Sequence, residues 1–297
     1  MQKCLIRALE PFMSEQINKT STLDSLDDDS FERRFGGLSR LFGPEANVAL
    51  QKAHVAVVGI GGVGSWAAEA LARSGVGAIT LIDLDHVAES NINRQVHALT
   101  ETLGQAKVDA MAHRIKGIHP GCRVTCVDDF LTPDNVSGVL TADLDVVIDC
   151  TDQVAAKIAM ILHTRAQKQA LLVCGGAGGK TDLLAMKSGD LSEATHDALL
   201  ARMRNLLRKS YGFPKPVTAS GKKKARIPKM GVKVIWVDQP TILPTVWQNK
   251  NTTHDQESAQ TLQGLSCAGY GSSVTVTASM GFAAAAQTIH TILTNKK

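Results

Sequence analysis

The sequence predicts an α/β fold, a Rossmann-like, doubly wound and mostly parallel sheet with an elaborated C-terminal half. Candidate strands and helices alternate from residue 53 to residue 175, which is typical of parallel strands joined by crossover helices. The strands are continuous runs of Val, Ile and Leu, as expected for a sheet buried on both faces. The chain has 297 residues, 44% of them hydrophobic, so it can bury a core of this size.

The predicted strands of the nucleotide-binding half lie near residues 54–58, 78–83, 123–127, 145–149 and 171–174. Polar residues or glycines follow at their carboxyl ends, among them Gly59, Asp83, the pair Asp128 and Asp129, and Asp149. Ligands of open α/β sheets bind outside these ends, so we expect the site there. The Asp128–Asp129 pair is more simply explained as a solvated strand end.

The first strand opens into a glycine loop and then a helix, in residues 55–65. This arrangement places backbone N–H groups and a helix N-terminus against a phosphate. Asp83 follows about 20 residues later, where such units hold ribose hydroxyls. Taken alone, this pattern favours NAD and an oxidoreductase. The predicted phosphate-loop residues are Gly59, Gly61, Gly62 and Gly64.

The segment after the second strand changes that interpretation, because it adds amides and cations that a dinucleotide does not need. Two further groups come later in the chain, Lys107 on the next helix and Asp152 after the fourth strand. Cations with a carboxylate suit a triphosphate and Mg²⁺. We therefore predict that ATP binds here, with Asp152 on the metal. The added residues near the loop are Asp85, Asn91, Arg94 and Gln95.

This combination resembles the E1-like adenylating superfamily, which includes the ThiF and MoeB proteins and ubiquitin-activating domains. The shared pattern is GxGGxG, then DxDxVxxSNxxRQ, then Lys, then DxxD. The resemblance implies a homodimer in which Arg34 or Arg40 reaches the partner's triphosphate, although a solvated basic helix start also explains that segment. Many ThiF and MoeB proteins hold zinc with two CxxC pairs; this chain has none, so no structural zinc is expected.

Residues 1–30 are polar and aperiodic, which predicts a disordered N-terminal tail. Residues 31–297 are predicted to form one adenylating domain, with a nucleotide-binding half at 31–180 and a substrate and dimer half at 181–297. A second glycine-rich stretch, 175–181, is one residue short of a Walker A motif. A close backbone approach explains it better than substrate contact.

The second half contains a basic region that invites a polyanion. An amphipathic helix is predicted at 192–209, followed by a basic loop at 211–233 and a strand at 232–237. Tyr211 and Phe213 are candidates for base stacking, and the lysines of the loop suit nucleic-acid phosphates. The predicted tRNA-binding residues are Lys222, Lys223, Lys224 and Arg226.

The C-terminal part contains a candidate reactive thiol and an apolar helix. Cys267 lies among glycines ahead of a helix start, a setting that can lower a thiol pKa, and it is the leading candidate for a reactive thiol. A structural role stays open, because buried structural cysteines are common. The segment 274–293 is apolar and uncharged, and its polar residues favour a docked core helix. Six scattered cysteines and no signal peptide favour the cytoplasm. Peripheral or C-terminal membrane association is left open.

Within the superfamily, the segments 34–37, 59–73, 93–99, 175–179 and 266–267 look most like the tRNA threonylcarbamoyladenosine dehydratases. The resemblance implies ATP-dependent cyclisation of N6-threonylcarbamoyladenosine in tRNA, through an adenylated carboxylate and release of AMP. It also implies a cysteine desulfurase system as a partner. Two alternatives stay open: activation of the C-terminus of a sulfur-carrier protein, and a non-catalytic scaffold in sulfur transfer.

Overall fold

The computed structural model describes residues 28–217, 227–243 and 270–294. In this part of the chain, seven strands form one sheet in the order β3-β2-β1-β4-β5-β7-β6. The strands are β1 His54–Val58, β2 Ala78–Ile82, β3 Arg123–Val127, β4 Val146–Asp149, β5 Ala170–Cys174, β6 Met186–Asp190 and β7 Lys233–Val237. All neighbours pair in parallel except β6 and β7, which are antiparallel. The predicted α/β fold with a mostly parallel sheet is confirmed.

Helices cover both faces of this sheet, because successive residues of the buried strands point to opposite sides. On one face Val55 and Val57 of β1 join a core with α3, α4 and α8, and on the other Ala56 and Val58 join a core with α5 and α6. Helix α7 packs with α6 farther along the second face. The helices are α1 Asp28–Phe42, α2 Ala46–Lys52, α3 Gly64–Arg73, α4 Lys107–Ile118, α5 Val136–Val139, α6 Val154–Gln167, α7 Ala198–Ser210 and α8 Val274–Thr294.

Two expected element boundaries differ from the structure, and one strand was not predicted. Helix α1 begins at Asp28, so the expected tail boundary at residue 30 falls inside a helix. Helix α7 begins at Ala198 rather than at Ser192, because His196 has a left-handed φ of 57° and the Asp197 side chain caps the helix by accepting a hydrogen bond from the Leu200 N–H. Strand β6 was not predicted, since its sequence MKSGD lacks an apolar alternation.

The C-terminal helix α8 docks on α3, with eight buried residues along its length. The two helices touch at backbone distance, because a Cβ at Gly281 would lie 2.6 Å from the Val63 carbonyl oxygen and 2.7 Å from Trp66 Cβ. Trp66 in turn packs edge-on against Phe282, with ring centroids 5.7 Å apart. None of the described helices is long and apolar enough to cross a bilayer.

We predict that Gly281→Ala destabilises the protein by about 1–3 kcal/mol, since the added methyl forces α8 away from α3. The matched control is Gly117→Ala in α4, whose added Cβ would meet nothing within 4 Å. That change should stabilise the fold by roughly 0.5–1 kcal/mol through helix propensity. Urea unfolding of both variants measures the two signs. Equal effects at the two sites would contradict the close packing of α8.

Candidate functional site

A cavity of about 300 Å³ lies at the carboxyl ends of β1, β2, β4 and β5. Its lining comes from separate segments of the sequence that lie between positions 58 and 277. Gly64 does not line it but begins helix α3 behind the loop. The predicted site residues that line the cavity are Gly59, Gly61, Gly62, Asp83, Asp85, Asn91, Arg94, Gln95, Lys107 and Asp152.

The glycine loop turns sharply between β1 and α3. Gly59 has φ of 87°, a left-handed conformation, and its Cβ would lie 3.0 Å from the Cys150 carbonyl. Helix α3 has no side-chain cap and no acidic residue in its first turn, and the same holds for α6, whose N-terminus also borders the cavity. Two helix N-termini with free donors therefore favour an anion in the cavity.

Asp83 ties the glycine loop to the segment that follows β2. Its Oδ2 accepts a hydrogen bond from the Ile60 N–H at 2.6 Å, and its Oδ1 accepts one from the Asp85 N–H at 2.9 Å. Burial raises the pKa of the Asp83 carboxyl, while the nearby Lys107 ammonium and these two N–H groups lower it. Each carboxylate oxygen keeps a lone pair, so the predicted contact with ribose hydroxyls remains chemically open.

Lys107 is the buried cation of the site. Its Nζ lies 2.7 Å from Asp85 Oδ2, and the Lys107 side chain is 7% exposed against 56% for Asp85. His97 is also buried nearby, and burial together with the Lys107 charge lowers the pKa of His97 to about 4. His97 is therefore neutral at pH 7 and adds no charge beside the lysine.

Arg94, Asn91 and Gln95 follow from a short turn after β2. The Arg94 guanidinium donates to the Ser90 carbonyl at 2.7 Å, and the Arg94 carbonyl accepts a hydrogen bond from Trp66 Nε1 at 2.9 Å. Asn91 Oδ1 accepts from the Ala88 N–H at 3.1 Å, so Asn91 shapes the turn as well as lining the cavity. Gln95 is buried, and its Oε1 has no hydrogen-bond partner within the described chain.

Asp152 stands on the opposite wall, at the start of α6. Its side chain is exposed and makes no hydrogen bond or ion pair with other described residues. No group of three or more His, Cys, Asp or Glu able to hold a metal ion occurs among the described residues. A free hard-oxygen ligand in an anion-binding cavity fits Mg²⁺, which commonly takes one or two protein carboxylates and fills its shell with phosphates and water.

A buried ion pair beneath Asp152 was not predicted from the sequence. Lys157 Nζ lies 3.0 Å from Asp149 Oδ1, and both side chains are fully buried. The same ammonium donates to the Cys174 carbonyl at 2.8 Å, and Asp149 Oδ1 accepts hydrogen bonds from the N–H and the hydroxyl of Thr151. Burial raises the pKa of Asp149, and the Lys157 charge opposes that rise. The pair joins the ends of β4 and β5 to α6.

The second glycine-rich stretch also reaches the cavity. Gly175 and Gly176 line it, the Gly175 N–H donates to the Ile235 carbonyl at 2.8 Å, and the Gly176 N–H donates to Asp197 Oδ2 at 2.8 Å. Lys180 does not face the cavity; it is buried and donates to the carbonyls of His196 and Gln239. The stretch is thus a close-packed connection whose first residues form part of the cavity wall.

Other residues singled out in the sequence lie elsewhere. Asp129 lines the cavity, and Asp128 does not. Neither Arg34 nor Arg40 lines the cavity of its own chain. The Arg34 guanidinium donates to the Ile118 carbonyl at 3.0 Å, at the end of α4. Cys267 and the four basic residues at 222–224 and 226 lie outside the described residues.

The fold and site together define a Rossmann-like α/β protein with a cavity lined by glycines and cationic side chains. The chain belongs to the ThiF family, whose model matches residues 36–297.

Two proteins show how far the likeness extends. The tRNA threonylcarbamoyladenosine dehydratase of Haemophilus influenzae is 39% identical over 269 residues, which cover 90% of this chain and 96% of that protein. Solved structures of the Escherichia coli tRNA N6-threonylcarbamoyladenosine dehydratase in complex with ATP and with AMP are 40% identical in sequence. Their TM-scores are 0.75 and 0.76, and in each case the match covers 90% of this chain and 97% of the solved chain.

We predict that Lys157→Met destabilises the protein by about 3–5 kcal/mol, because it leaves the Asp149 carboxylate buried without a counter-ion. The double variant Asp149→Asn with Lys157→Met should recover a large part of this loss, since the Asn oxygen can still accept from Thr151. Denaturant unfolding of wild type, both single variants and the double variant gives the coupling free energy. Simple additivity of the two single changes would contradict the buried pair.

Proposed function

We propose that this chain is an ATP-dependent enzyme that dehydrates N6-threonylcarbamoyladenosine in tRNA to its cyclic form, through an adenylated threonyl carboxylate. The observation that carries this proposal is the convergence of Arg94, Lys107 and Asp152 on one glycine-lined cavity. The relatives named for this reaction match nearly their whole length, and one of them has been solved with ATP and with AMP.

The first step joins the substrate carboxylate to AMP. A carboxylate oxygen attacks the α-phosphorus of ATP, an oxygen–phosphorus bond forms, and pyrophosphate leaves with the electrons of the broken bond. Negative charge moves onto the leaving phosphates, so cations that face them lower the barrier. Arg94 and Lys107 supply those charges, and the N-terminus of α3 adds backbone donors.

We propose that Asp152 holds Mg²⁺, which would neutralise part of the charge on the triphosphate. Its unpaired carboxylate faces the same cavity as Lys107 and Arg94. Asp85, which holds Lys107 in the structure, is more than half exposed and can return to water when a phosphate takes the lysine. The site therefore has both a cation that can move to the phosphates and a carboxylate free for a metal.

The second step is intramolecular. A nitrogen of the threonylcarbamoyl group attacks the activated carbonyl carbon, a carbon–nitrogen bond forms, AMP leaves, and the nitrogen proton passes to the released phosphate or to solvent. The nucleoside has then lost one water. Because the nucleophile belongs to the substrate, this route needs no protein thiol. A covalent role for Cys267 is consequently not part of the proposal.

Two other functions are less well supported. Activation of a sulfur-carrier C-terminus uses the same adenylation site, but the sequence lacks the CxxC pairs that many such enzymes carry. A non-catalytic scaffold, with or without a cysteine desulfurase partner, would not need a cavity that retains a full phosphate-binding set. An NAD-dependent oxidoreductase leaves Lys107, Arg94 and Asp152 without a role.

We predict that the enzyme, incubated with ATP, Mg²⁺ and threonylcarbamoylated tRNA, yields a modified nucleoside lighter by one water and releases AMP. Asp152→Asn should slow this reaction by about a hundredfold or more, since the metal loses its protein ligand. The control is Asp134→Asn, an exposed carboxylate that does not line the cavity and should leave the rate unchanged. Mass spectrometry of digested nucleosides measures the product.

Two results would count against the assignment. Unchanged tRNA together with adenylation of a carrier-protein C-terminus would move the function to sulfur-carrier activation. Tight binding of NADH without any binding of ATP and Mg²⁺, measured by calorimetry, would refute adenylation itself.

We further propose that the enzyme works as a homodimer in which Arg40 reaches the partner's triphosphate. Arg34 is hydrogen-bonded to Ile118 at the end of α4, whereas Arg40 is exposed and has no hydrogen bond or ion pair among the described residues. An arginine already engaged in capping a helix is the weaker candidate for a shared site. Of the two arginines, the structure therefore favours Arg40.

Subunit mixing tests this shared site. Arg40→Ala and Asp152→Asn should each be inactive alone, but a mixed dimer has one site with both native groups. After subunit exchange, we expect activity to recover to about a quarter of wild type, because half of the dimers are mixed and each has one intact site. Mixing Arg34→Ala with Asp152→Asn is the matched control. An enzyme that is active as a monomer in sedimentation would exclude the arrangement.

A further inference from the structure

The cavity of about 300 Å³ that contains Lys107 and Asp152 is called the nucleotide cavity. A second cavity, of about 340 Å³, lies beside it, between helices α6 and α7. We call it the α6–α7 groove. Its floor is apolar and its rim carries an aromatic ring and a cation, Tyr211 and Arg202, both exposed. The residues of the floor are Val154, Ala155, Ile158, Ala159, Leu162 and Leu206.

The groove and the nucleotide cavity are lined by neighbouring residues of the same two helices. In the first turn of α6, Gln153 and Ala156 face the nucleotide cavity while Val154 and Ala155 face the groove. On α7, Leu199 lines the nucleotide cavity, and the groove-lining Arg202 comes three residues later. Residues three apart on a helix are neighbours on its surface, at about 5–6 Å between Cβ atoms. One part of a bound molecule can therefore lie in the nucleotide cavity while an adjacent part lies in the groove.

Tyr211 lies at the rim, two residues before a buried phenylalanine. Phe213 is 4% exposed, and the Arg165 guanidinium lies 4.7 Å from its ring centroid. The expected stacking role of Phe213 is thus wrong, because its ring is used inside the core. The Tyr211 ring, by contrast, is 47% exposed. The turn presents one aromatic ring outward by burying the other.

The charge around the groove is positive. Residues 198–217 contain five Lys and Arg and no Asp or Glu. Arg204 and Arg208 donate to backbone carbonyls of their own region. Arg202, Lys209 and Lys215 make no hydrogen bond or ion pair within the described parts of the chain, which leaves them for phosphates. An aromatic ring over an apolar floor with cations at the edge is how proteins hold unstacked bases.

We propose that the α6–α7 groove binds the base of a nucleotide adjacent to the modified adenosine, with Tyr211 stacking on that base and Arg202 near its phosphate. This inference rests on the proposed tRNA substrate and identifies where the enzyme contacts the RNA beyond the reacting nucleoside. A protein partner's apolar side chain is the alternative occupant, and the cationic rim disfavours it.

Tyr211→Ala tests the groove, with Tyr211→Phe as the control that keeps the ring. The substrates are a short RNA carrying the threonylcarbamoyladenosine, the same RNA made abasic at either neighbouring position, and the free nucleoside. Tyr211→Ala should raise the KM for the intact RNA about 5- to 150-fold, the range expected for losing one stacked base. The KM for ATP and turnover of the free nucleoside should not change, and Tyr211→Phe should resemble wild type.

The abasic RNAs identify the contact. With the base removed at the position that enters the groove, wild type and Tyr211→Ala should have the same KM. Neutralising Lys222, Lys223, Lys224 and Arg226, which lie outside the described residues, is the electrostatic comparison. That variant should weaken binding of every RNA, abasic or intact, and flatten the salt dependence.

The proposal would be overturned if Tyr211→Ala left the KM for intact RNA unchanged, or if it raised the KM equally for the intact and both abasic RNAs. It would also be overturned if Tyr211→Ala abolished binding of a protein partner while RNA turnover stayed normal. Failure of the proposed function looks different, since wild type would then leave the nucleoside mass unchanged. RNA binding measured without turnover would still report whether Tyr211 contacts a base. Thermal unfolding of Tyr211→Ala is the control for folding, and we expect a melting temperature close to wild type because the Tyr211 side chain is exposed.

Discussion

The buried ion pair of Lys157 and Asp149 fixes the wall of the nucleotide cavity that carries Asp152. Removing two charges from water costs several kcal/mol per ion, and the geometry must repay that cost with further hydrogen bonds. Here the lysine also binds the Cys174 carbonyl and the carboxylate also binds Thr151. The ends of β4 and β5 are thereby tied to α6. Asp152, three residues after Asp149, is placed by a rigid support rather than by a free loop.

The opposite wall is organised by a different use of charge. Each carboxylate oxygen of Asp83 accepts a hydrogen bond from one backbone N–H group, and these two bonds connect the glycine loop to the turn after β2. Lys107 is held by Asp85, whose side chain is largely in water. Exchange of that exposed carboxylate for a bound phosphate costs little, because Asp85 regains full hydration. Asp83 thus has a structural role in the site, whereas Asp85 positions Lys107 and can release it to a phosphate.

Local signals in the sequence were sufficient for the glycine loop, the parallel strands and ten residues of the cavity lining. These residues lie in continuous motifs that follow a strand or, for Lys107, at the start of the next helix. Interactions between distant segments were not accessible. The contacts of Lys157 with Asp149 and Cys174 could not be predicted from the sequence. Helical spacing places Lys157 among apolar residues, but it does not show which distant groups the ammonium meets. The start of α7 was misplaced for a related reason. Residues 192–198 are polar or small and contain no leucine, so the apolar stripe from Leu199 does not define where the helix begins, and the cap at Asp197 does.

Strand β6 and Phe213 show the limits of periodicity. The segment Met186–Asp190 has one large apolar residue and pairs through its backbone with β7, so its strand character comes from its neighbour. Phe213 follows a basic helix and precedes a Pro and Lys segment, which suggested exposure. Its ring is instead buried in the core formed by α6 and α7, and it contacts Arg165, 48 positions earlier. A sequence pattern describes the residues of one segment. The strand at Met186–Asp190 and the burial of Phe213 depend instead on other segments that pack against them.

An acyl-adenylate is reactive toward water, and the cavity is open at its mouth, so the outcome depends on how quickly the internal nitrogen attacks. Well-oriented intramolecular reactions reach effective molarities of about 10⁵–10⁸ M, far above any concentration of water. The protein therefore needs to restrict the rotation of the substrate more than it needs a nucleophile of its own. A base held in the α6–α7 groove would restrict the rotation of the substrate, because the groove adjoins the nucleotide cavity at the first turn of α6. Orientation by the RNA is then part of the catalysis, and it is consistent with a reaction that requires no protein thiol.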